Sequence, residues 1–238
     1  MENGNIPVAP IILALFLIVG FVLFLGMIAF FISLISRAAK RRAYDTGRGS
    51  EMRAIAAQIS FSFTSQAELS AIPFFASFEL FEGYALKFEN LMQGSIGGHR
   101  AAVFDLAYRN VGSGGRGGTT TSRQTMYAIE STRLNLPEIY LRPEGVMERV
   151  LNTLDRVDID FAERPGFSGR FMLYGKDENA IRHLFTAAKL DFFERTPNLC
   201  VFGRGNHLFL YQSRTPSQPA QIQQNVMFLG ALHDLFAQ

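Results

Sequence analysis

The chain lacks charge where charge is hardest to avoid. From Ile11 to Ile35 it runs IILALFLIVGFVLFLGMIAFFISLI without one ionisable side chain. That run exceeds the roughly 20 apolar residues an α-helix needs to cross a bilayer. A cleaved signal peptide would want a basic leader and a shorter apolar core. Here the leader MENGNIPVAP has one acid and no base, and the basic residues come after the run. Tryptophan is absent and cysteine occurs once, at Cys200. With one cysteine no intrachain disulfide can form, and Cys200, inside the apolar stretch NLCVF, reads as a buried small hydrophobe. Without tryptophan, phenylalanine must fill the interior of the domain that follows the apolar run.

A basic surplus is also missing from most of the chain. Residues 1–53 carry six bases (Arg37, Lys40, Arg41, Arg42, Arg48, Arg53) and three acids (Glu2, Asp45, Glu51). Removing these from totals of 23 and 21 leaves 17 basic and 18 acidic residues for 54–238. A near-neutral balance argues against a dedicated nucleic-acid binder. Arg37, Lys40, Arg41 and Arg42 follow the apolar run directly, and basic flanks stay in the cytoplasm. The expectation is a single-pass protein of the plasma membrane: a short outer tail (1–10), a transmembrane helix (11–35), a basic linker (36–49) and a cytoplasmic domain (50–238). The basic cluster would face anionic lipid. Ala29 and Ser33 form a small-xxx-small pair through which two such helices could associate.

After the linker, Ser50 is placed to cap a helix with Met52, Ile55, Ala56 and Ile59 on one face. Ser65-Gln-Ala-Glu68 fits a capping box. Residues 73–81 are ambiguous, and Phe74, Phe75, Phe78 and Phe81 there offer core packing or a phenylalanine-lined pocket. From about residue 84 the pattern is that of strands. GSIGG at 94–98 is a turn, and AAVFDLAYRNV alternates, with Phe104, Leu106 and Tyr108 on one face and Asp105 and Arg109 on the other, as in a half-buried strand. TTTSRQTMYAIEST, PEIYLRPE and GRFMLYGK are further strands. Gly145 to Arg156 has helical spacing, Asp177 caps another helix, LCVFGRGNHLFLYQS is a hairpin turning at Gly203–Asn206, and Pro219 introduces a last apolar helix ending near Phe236. The order predicts an α+β domain, a mainly antiparallel sheet with flanking helices. A pleckstrin-homology-like barrel is one topology it allows.

Chemistry is harder to find. NVGSGGRGGTTTSRQT (110–125) holds two phosphate-binding patterns at once. Gly112-x-Gly114-x-x-Gly117 matches a dinucleotide fingerprint, but that motif opens a helix, and the Thr-rich stretch after it alternates like a strand. Gly112 to Thr119 matches a P-loop except that Gly118 stands where the lysine belongs. The favoured reading is a hairpin tip. Arg116, Thr119 and Arg123 remain the weak candidates for meeting a phosphate or an acidic partner. His99, His183, His207 and His233 show no metal-ligand spacing. Asp155, Asp158 and Asp160 form a short acidic cluster without a calcium-loop pattern, and GFSGR at 166–170 misses the last glycine of a serine-hydrolase elbow. No catalytic residue, cofactor or metal site is assigned.

Two stretches carry a resemblance. AAVFDLAYRN, then SRQTMYAIES and LPEIYLRPE, is similar to a pattern in bacterial single-pass membrane proteins of uncharacterised activity, built as an N-terminal transmembrane helix plus one domain. The matching features are Asp105 and Tyr108, Gln124 and Thr125, Leu136 and Pro137, and Pro143 and Glu144, with FMLYGKDENAIRHLF continuing it. The resemblance implies a bacterial source and the anchor-plus-domain layout, and brings no site residues. The functional expectation is a non-enzymatic cytoplasmic domain that binds another protein or assembles within a membrane complex. The alternative is a sensory domain holding a small ligand or phosphate at the Gly112–Gly118 loop or a phenylalanine-lined pocket.

Overall fold

A computed structural model describes residues 8–76, 84–110, 121–145 and 158–238. The chain forms two compact units, 1–48 and 49–238. Helix α1 is assigned to Val8–Gln58, and its described side chains are those at 23–24, 26–36 and 45–58. Among the described residues no helix is long and apolar enough to cross a membrane; the side chains described in α1 begin only partway along the apolar run Ile11–Ile35. What they show is a helix whose apolar groups face outward. Leu23, Phe24, Phe30, Phe31, Ile32 and Ile35 all expose more than half of their surface. Ser50 does not open a helix; it lies inside α1, and 36–49 are helical too.

The second unit is built on one eight-stranded sheet in the order β1-β2-β3-β4-β8-β7-β5-β6. The strands are β1 (Ser62–Ala67), β2 (Tyr84–Ile96), β3 (His99–Asn110), β4 (Ser122–Glu130), β5 (Leu136–Pro143), β6 (Phe171–Gly175), β7 (Cys200–Gly205) and β8 (His207–Tyr211). Every pairing is antiparallel. Around the sheet lie α2 (Pro73–Ala76), α3 (Pro165–Ser168), α4 (Glu178–Leu184), α5 (Ala187–Glu194) and α6 (Ile222–Phe236). The α+β expectation and the antiparallel sheet are what is seen. The described pairings leave β1 and β6 at opposite ends, so a closed barrel of pleckstrin-homology type finds no support in them.

Ser65–Glu68 does not cap a helix. Ser65 to Ala67 belong to β1, which pairs with β2 from Ser62↔Gln93 to Ala67↔Phe88. Cross-strand pairing with residues far along the chain overrides the local capping preference. Two glycines with positive φ, Gly97 (57°) and Gly98 (84°), make the tight β2–β3 turn, a conformation that lacks a steric penalty only for glycine. Asp177 caps α4 as expected, its Oδ1 accepting from the Ala180 amide at 2.9 Å. The expected helix at Gly145–Arg156 falls mostly outside the described residues. At GFSGR, Pro165–Ser168 forms one helical turn before β6.

The expectation of a half-buried β3 is corrected. Residues 101–108 are buried on both faces of the sheet. Ala101 and Val103 join one core with Tyr127, Ile129 and residues of α6 (Ile222, Leu229, Leu232), together with Met52 and Ala56 near the end of α1. Ala102, Phe104, Leu106 and Tyr108 join a second core with Met126, Ala128, Phe202 and Phe209. In that second core Phe75 of α2 meets Phe88, Phe104 and Phe209 edge-on at 5.5, 5.6 and 5.7 Å between centroids, and Phe202 stacks on Phe209 at 4.3 Å. Phe75 is therefore core, as the missing tryptophan suggests; Phe78, Phe81 and the Phe74 side chain lie outside the described set. Each such ring contributes about 1.5–3 kcal/mol by leaving water. Cys200 is buried in the same core.

The two ends of the sheet differ. Beside β6, the Ile159 amide donates to the Leu173 carbonyl at 2.8 Å, and Asp158 Oδ1 accepts from the Leu173 amide at 2.8 Å. Asp158 therefore completes an edge and is not a freely solvated acid. Burial is the largest influence on its carboxyl, raising the pKa above the usual value; Asp160 also raises it, while the Leu173 amide and Arg142 oppose the shift.

Candidate functional site

The strands β3 and β4 run antiparallel into the glycine-rich stretch, with Tyr108↔Ser122 the last registered pair. That is the hairpin expected there. Arg116 and Thr119 lie outside the described residues. Arg123 is described, and it faces an acid of its own chain: its Nη2 lies 3.6 Å from Glu89 Oε2, while Lys87 Nζ reaches Glu89 Oε1 at 2.6 Å. At the base of the hairpin the candidate cation is thus partly neutralised. Arg37, Lys40, Arg41 and Arg42, expected beside a membrane, lie within α1, with side chains outside the described set.

Below this lies a group that sequence reasoning placed on a polar strand face: Asp105 is buried. Its Oδ1 accepts from Thr125 Oγ1 at 2.7 Å, and its Oδ2 accepts from Asn90 Nδ2 at 2.8 Å. Asn90 reaches that position because β2 carries a bulge between Glu89 and Met92 and Asn90 takes φ 53°, a region that asparagine enters more readily than most residues. From Thr125 the network continues outward. The Ser217 amide donates to Thr125 Oγ1 at 2.9 Å, and Asn225 Nδ2 on α6 donates to the Tyr127 hydroxyl at 2.9 Å and to Ser217 Oγ at 3.3 Å. On the opposite face of β4, Gln124 Oε1 accepts from the Arg214 amide at 3.2 Å and lies 3.5 Å from the Tyr108 hydroxyl.

These residues include Asp105, Tyr108, Gln124 and Thr125, four of the eight residues on which the resemblance rests. Their chemistry is that of a fastening. A carboxylate holding a donor on each oxygen is stabilised as an acceptor, and the chain Asn90–Asp105–Thr125–Ser217 ties the segment ahead of α6 to the middle of the sheet. Buried polar groups of this kind are costly unless satisfied. Asn90, Ser217 and Asn225 carried no motif. The one sequence signal for Asn90 was an asparagine, a poor strand former, between Phe88 and Leu91.

The histidines do not all stay apart. His99 and His233 lie with ring centroids 4.5 Å apart, whereas His183 is elsewhere, on α4, near the Asn179 carbonyl. His207 pairs with Glu130 at 3.8 Å, and burial, the largest influence, lowers its pKa below the ordinary histidine value while Glu130 opposes the shift. Among the described residues no group of three or more His, Cys, Asp or Glu is arranged to hold a metal ion. A shallow groove of about 480 Å³ lies at the β1 end of the sheet, where Ala67, Leu69, Tyr84, Leu86 and Phe88 give an apolar lining and Gln66, Glu68 and Lys87 a polar one.

No protein-family model matches the chain, and no curated protein matches it. Among solved structures, the chain is similar to the mycobacterial trehalose monomycolate transport factor A, TtfA, at 17% identity and a TM-score of 0.55, covering 79% of this chain and 94% of TtfA. At that identity the likeness establishes a shared fold.

Proposed function

We propose that the chain is a membrane-anchored, non-enzymatic binding domain that works as an accessory factor within a membrane assembly. The observation that carries the reading is the outward-facing apolar surface of α1, where Leu23, Phe24, Phe30, Phe31, Ile32 and Ile35 are exposed. Water is a poor solvent for so contiguous an apolar surface, and the sequence continues it back to Ile11. The proposed order is an outer tail, a membrane helix over 11–35, a basic inner flank (Arg37, Lys40, Arg41, Arg42) and a cytoplasmic domain, in a bacterial plasma membrane. Ala29 and Ser33 supply a small-residue face for pairing two copies. The non-enzymatic part is supported by what the most polar buried residues do: Asp105 is engaged by Asn90 and Thr125, and Thr125 also accepts the Ser217 amide. The fold shared with a transport factor favours a transport-associated role over a metabolic one. Crosslinking in intact membranes followed by purification tests this. The expected product is a specific adduct with an integral membrane protein; adducts with the chain's own copies alone would remove the assembly partner.

A second reading, a small-ligand domain, is favoured by the groove between β1 and β2. Its lining of Leu69, Tyr84, Leu86 and Phe88 beside Gln66 and Lys87 suits a mostly apolar molecule with one polar end. Thermal-shift screening of the whole chain with fatty acids, phosphates and nucleotides separates the two readings. Stabilisation by an amphiphile that a Leu86→Glu change abolishes would favour the ligand domain.

A further inference from the structure

The C-terminal helix α6 ends over the β2–β3 turn. Gly230 allows the approach: a Cβ there would sit 3.0 Å from Ile96 Cγ2. One turn later, His233 is 2% exposed. Its Nδ1 lies 3.0 Å from Asp234 Oδ1. An ionised carboxylate only accepts, so Nδ1 carries the hydrogen and the neutral ring leaves a bare lone pair on Nε2. That Nε2 is buried and has no hydrogen-bond partner among the described residues. The neighbouring ring is that of His99, the first residue of β3, 4.5 Å away between centroids and tilted by 39°.

This arrangement holds a neutral His233 and is poorly suited to its cation. Protonation would place a charged N–H at a buried position with no acceptor, the costly case for a buried polar group, and would set it against a second titratable ring. Among the described residues, the charged groups that act on His233 besides the His99 ring are Asp234 and Arg133. Asp234, on its own helix, is exposed and shared with Arg133 of the β4–β5 connection at 3.4 Å. Arg100, Glu130 and His207, also at this end of the sheet, pair among themselves at 3.0 and 3.8 Å. Burial lowers the proton affinity of His233 most; the Asp234 hydrogen bond opposes that, and His99 and Arg133 add to the lowering.

We propose that His233, packed against His99, is an acid-sensitive latch that holds the last two turns of α6 on the β2–β3 turn at neutral pH and releases them as His233 takes up a proton. The sign follows from linkage. A histidine with a lowered pKa in the fold contributes stability that is present above its unfolded pKa, about 6.5, and is lost as pH falls through the folded value. Release frees the C-terminal end of α6 while β3, β4 and β8 stay paired, because the Asp105–Thr125–Ser217 bonds hold the other end of α6 without histidine.

Hydrogen exchange on the full chain in detergent, at pH 7.5 and 5.5 and corrected for intrinsic exchange rates, tests the latch. Amides of residues 229–236 should lose at least ten-fold protection at the lower pH, reversibly, with little change in β3 and β4. His99→Gln and His233→Gln should each flatten that loss, and His207→Gln should leave it in place. Unchanged protection in the wild type, a loss spread evenly over β3, β4 and α6, or a loss that persists in His99→Gln would overturn the proposal. Should His233→Gln fail to fold, His99→Gln decides alone.

Discussion

Thr125 Oγ1 donates to Asp105 Oδ1 at 2.7 Å across the β3–β4 pair, and the same hydroxyl accepts the Ser217 amide at 2.9 Å. One threonine thus couples a buried carboxylate to the segment that leads into α6. Thr125→Val keeps the shape and deletes both bonds. The expected cost is about 1–3 kcal/mol, the range for leaving buried partners unsatisfied, read as a lower denaturation midpoint with an unchanged slope. A loss within about 0.5 kcal/mol of zero, the level of an ordinary surface change, would show that the network is not holding the fold.

Gly175 ends β6, where a Cβ would collide with the Glu138 carbonyl and with Ile181 of α4. The first obstacle is backbone of the paired strand β5 and cannot rotate away. Gly175→Ala should therefore destabilise by about 1–3 kcal/mol, the usual range for overpacking. Gly98→Ala offers a contrast, since it has open space around it and a strained φ of 84° instead. A fully stable Gly175→Ala protein would mean that β5 and β6 are not in this register.

Asp158 separates hydrogen bonding from charge. Its folded pKa is raised above 3.8, chiefly by burial. Its contribution to stability is therefore present below the unfolded pKa and is lost as pH rises through the folded one. Asp158→Asn keeps an oxygen for the Leu173 amide and removes the half-buried charge, so its melting temperature at pH 7 should equal or exceed that of the parent. Asp158→Ala gives up the bond as well and should melt lower. If Asn and Ala variants fall equally, the amide bond at the β6 edge contributes nothing.

Acid should weaken the whole domain through a second histidine. The pKa of His207 is lowered, mainly by burial, with Glu130 opposing and Arg100 assisting. Its contribution is therefore present above about pH 6.5 and lost as pH falls through the folded value. Melting temperatures measured from pH 7.5 to 5.0 should fall less steeply in His207→Gln than in the parent. Parallel curves for the two would remove His207 from the pH dependence.

Local signals in the sequence were reliable where the cause was local. Asp177 caps α4, Gly97 and Gly98 turn the β2–β3 hairpin, and the strands flanking the glycine stretch pair antiparallel, all from residues a few positions apart. The errors arose where a distant partner decided. Asp105 looked like the polar side of a half-buried strand because its donors, Asn90 and Thr125, lie fifteen and twenty residues away, and a bulge brings one of them into place. Ser65–Glu68 looked like a helix cap because nothing nearby shows that β2 will pair with it. His99 and His233 are separated by most of the domain in sequence, so spacing rules for ligands or pairs could not join them. The candidates Arg116 and Thr119 fall outside the described residues, and Arg123 turned out to face Glu89.

The proposed role requires Ile11–Ile35 to hold the chain in a membrane, and alkaline carbonate washing of membranes from cells producing the full chain tests that most directly. The full chain should stay in the membrane pellet, and a chain starting at Gly49 should move to the supernatant. Release of the full chain by carbonate would contradict membrane anchoring and, with it, the proposed place of the domain in a membrane assembly.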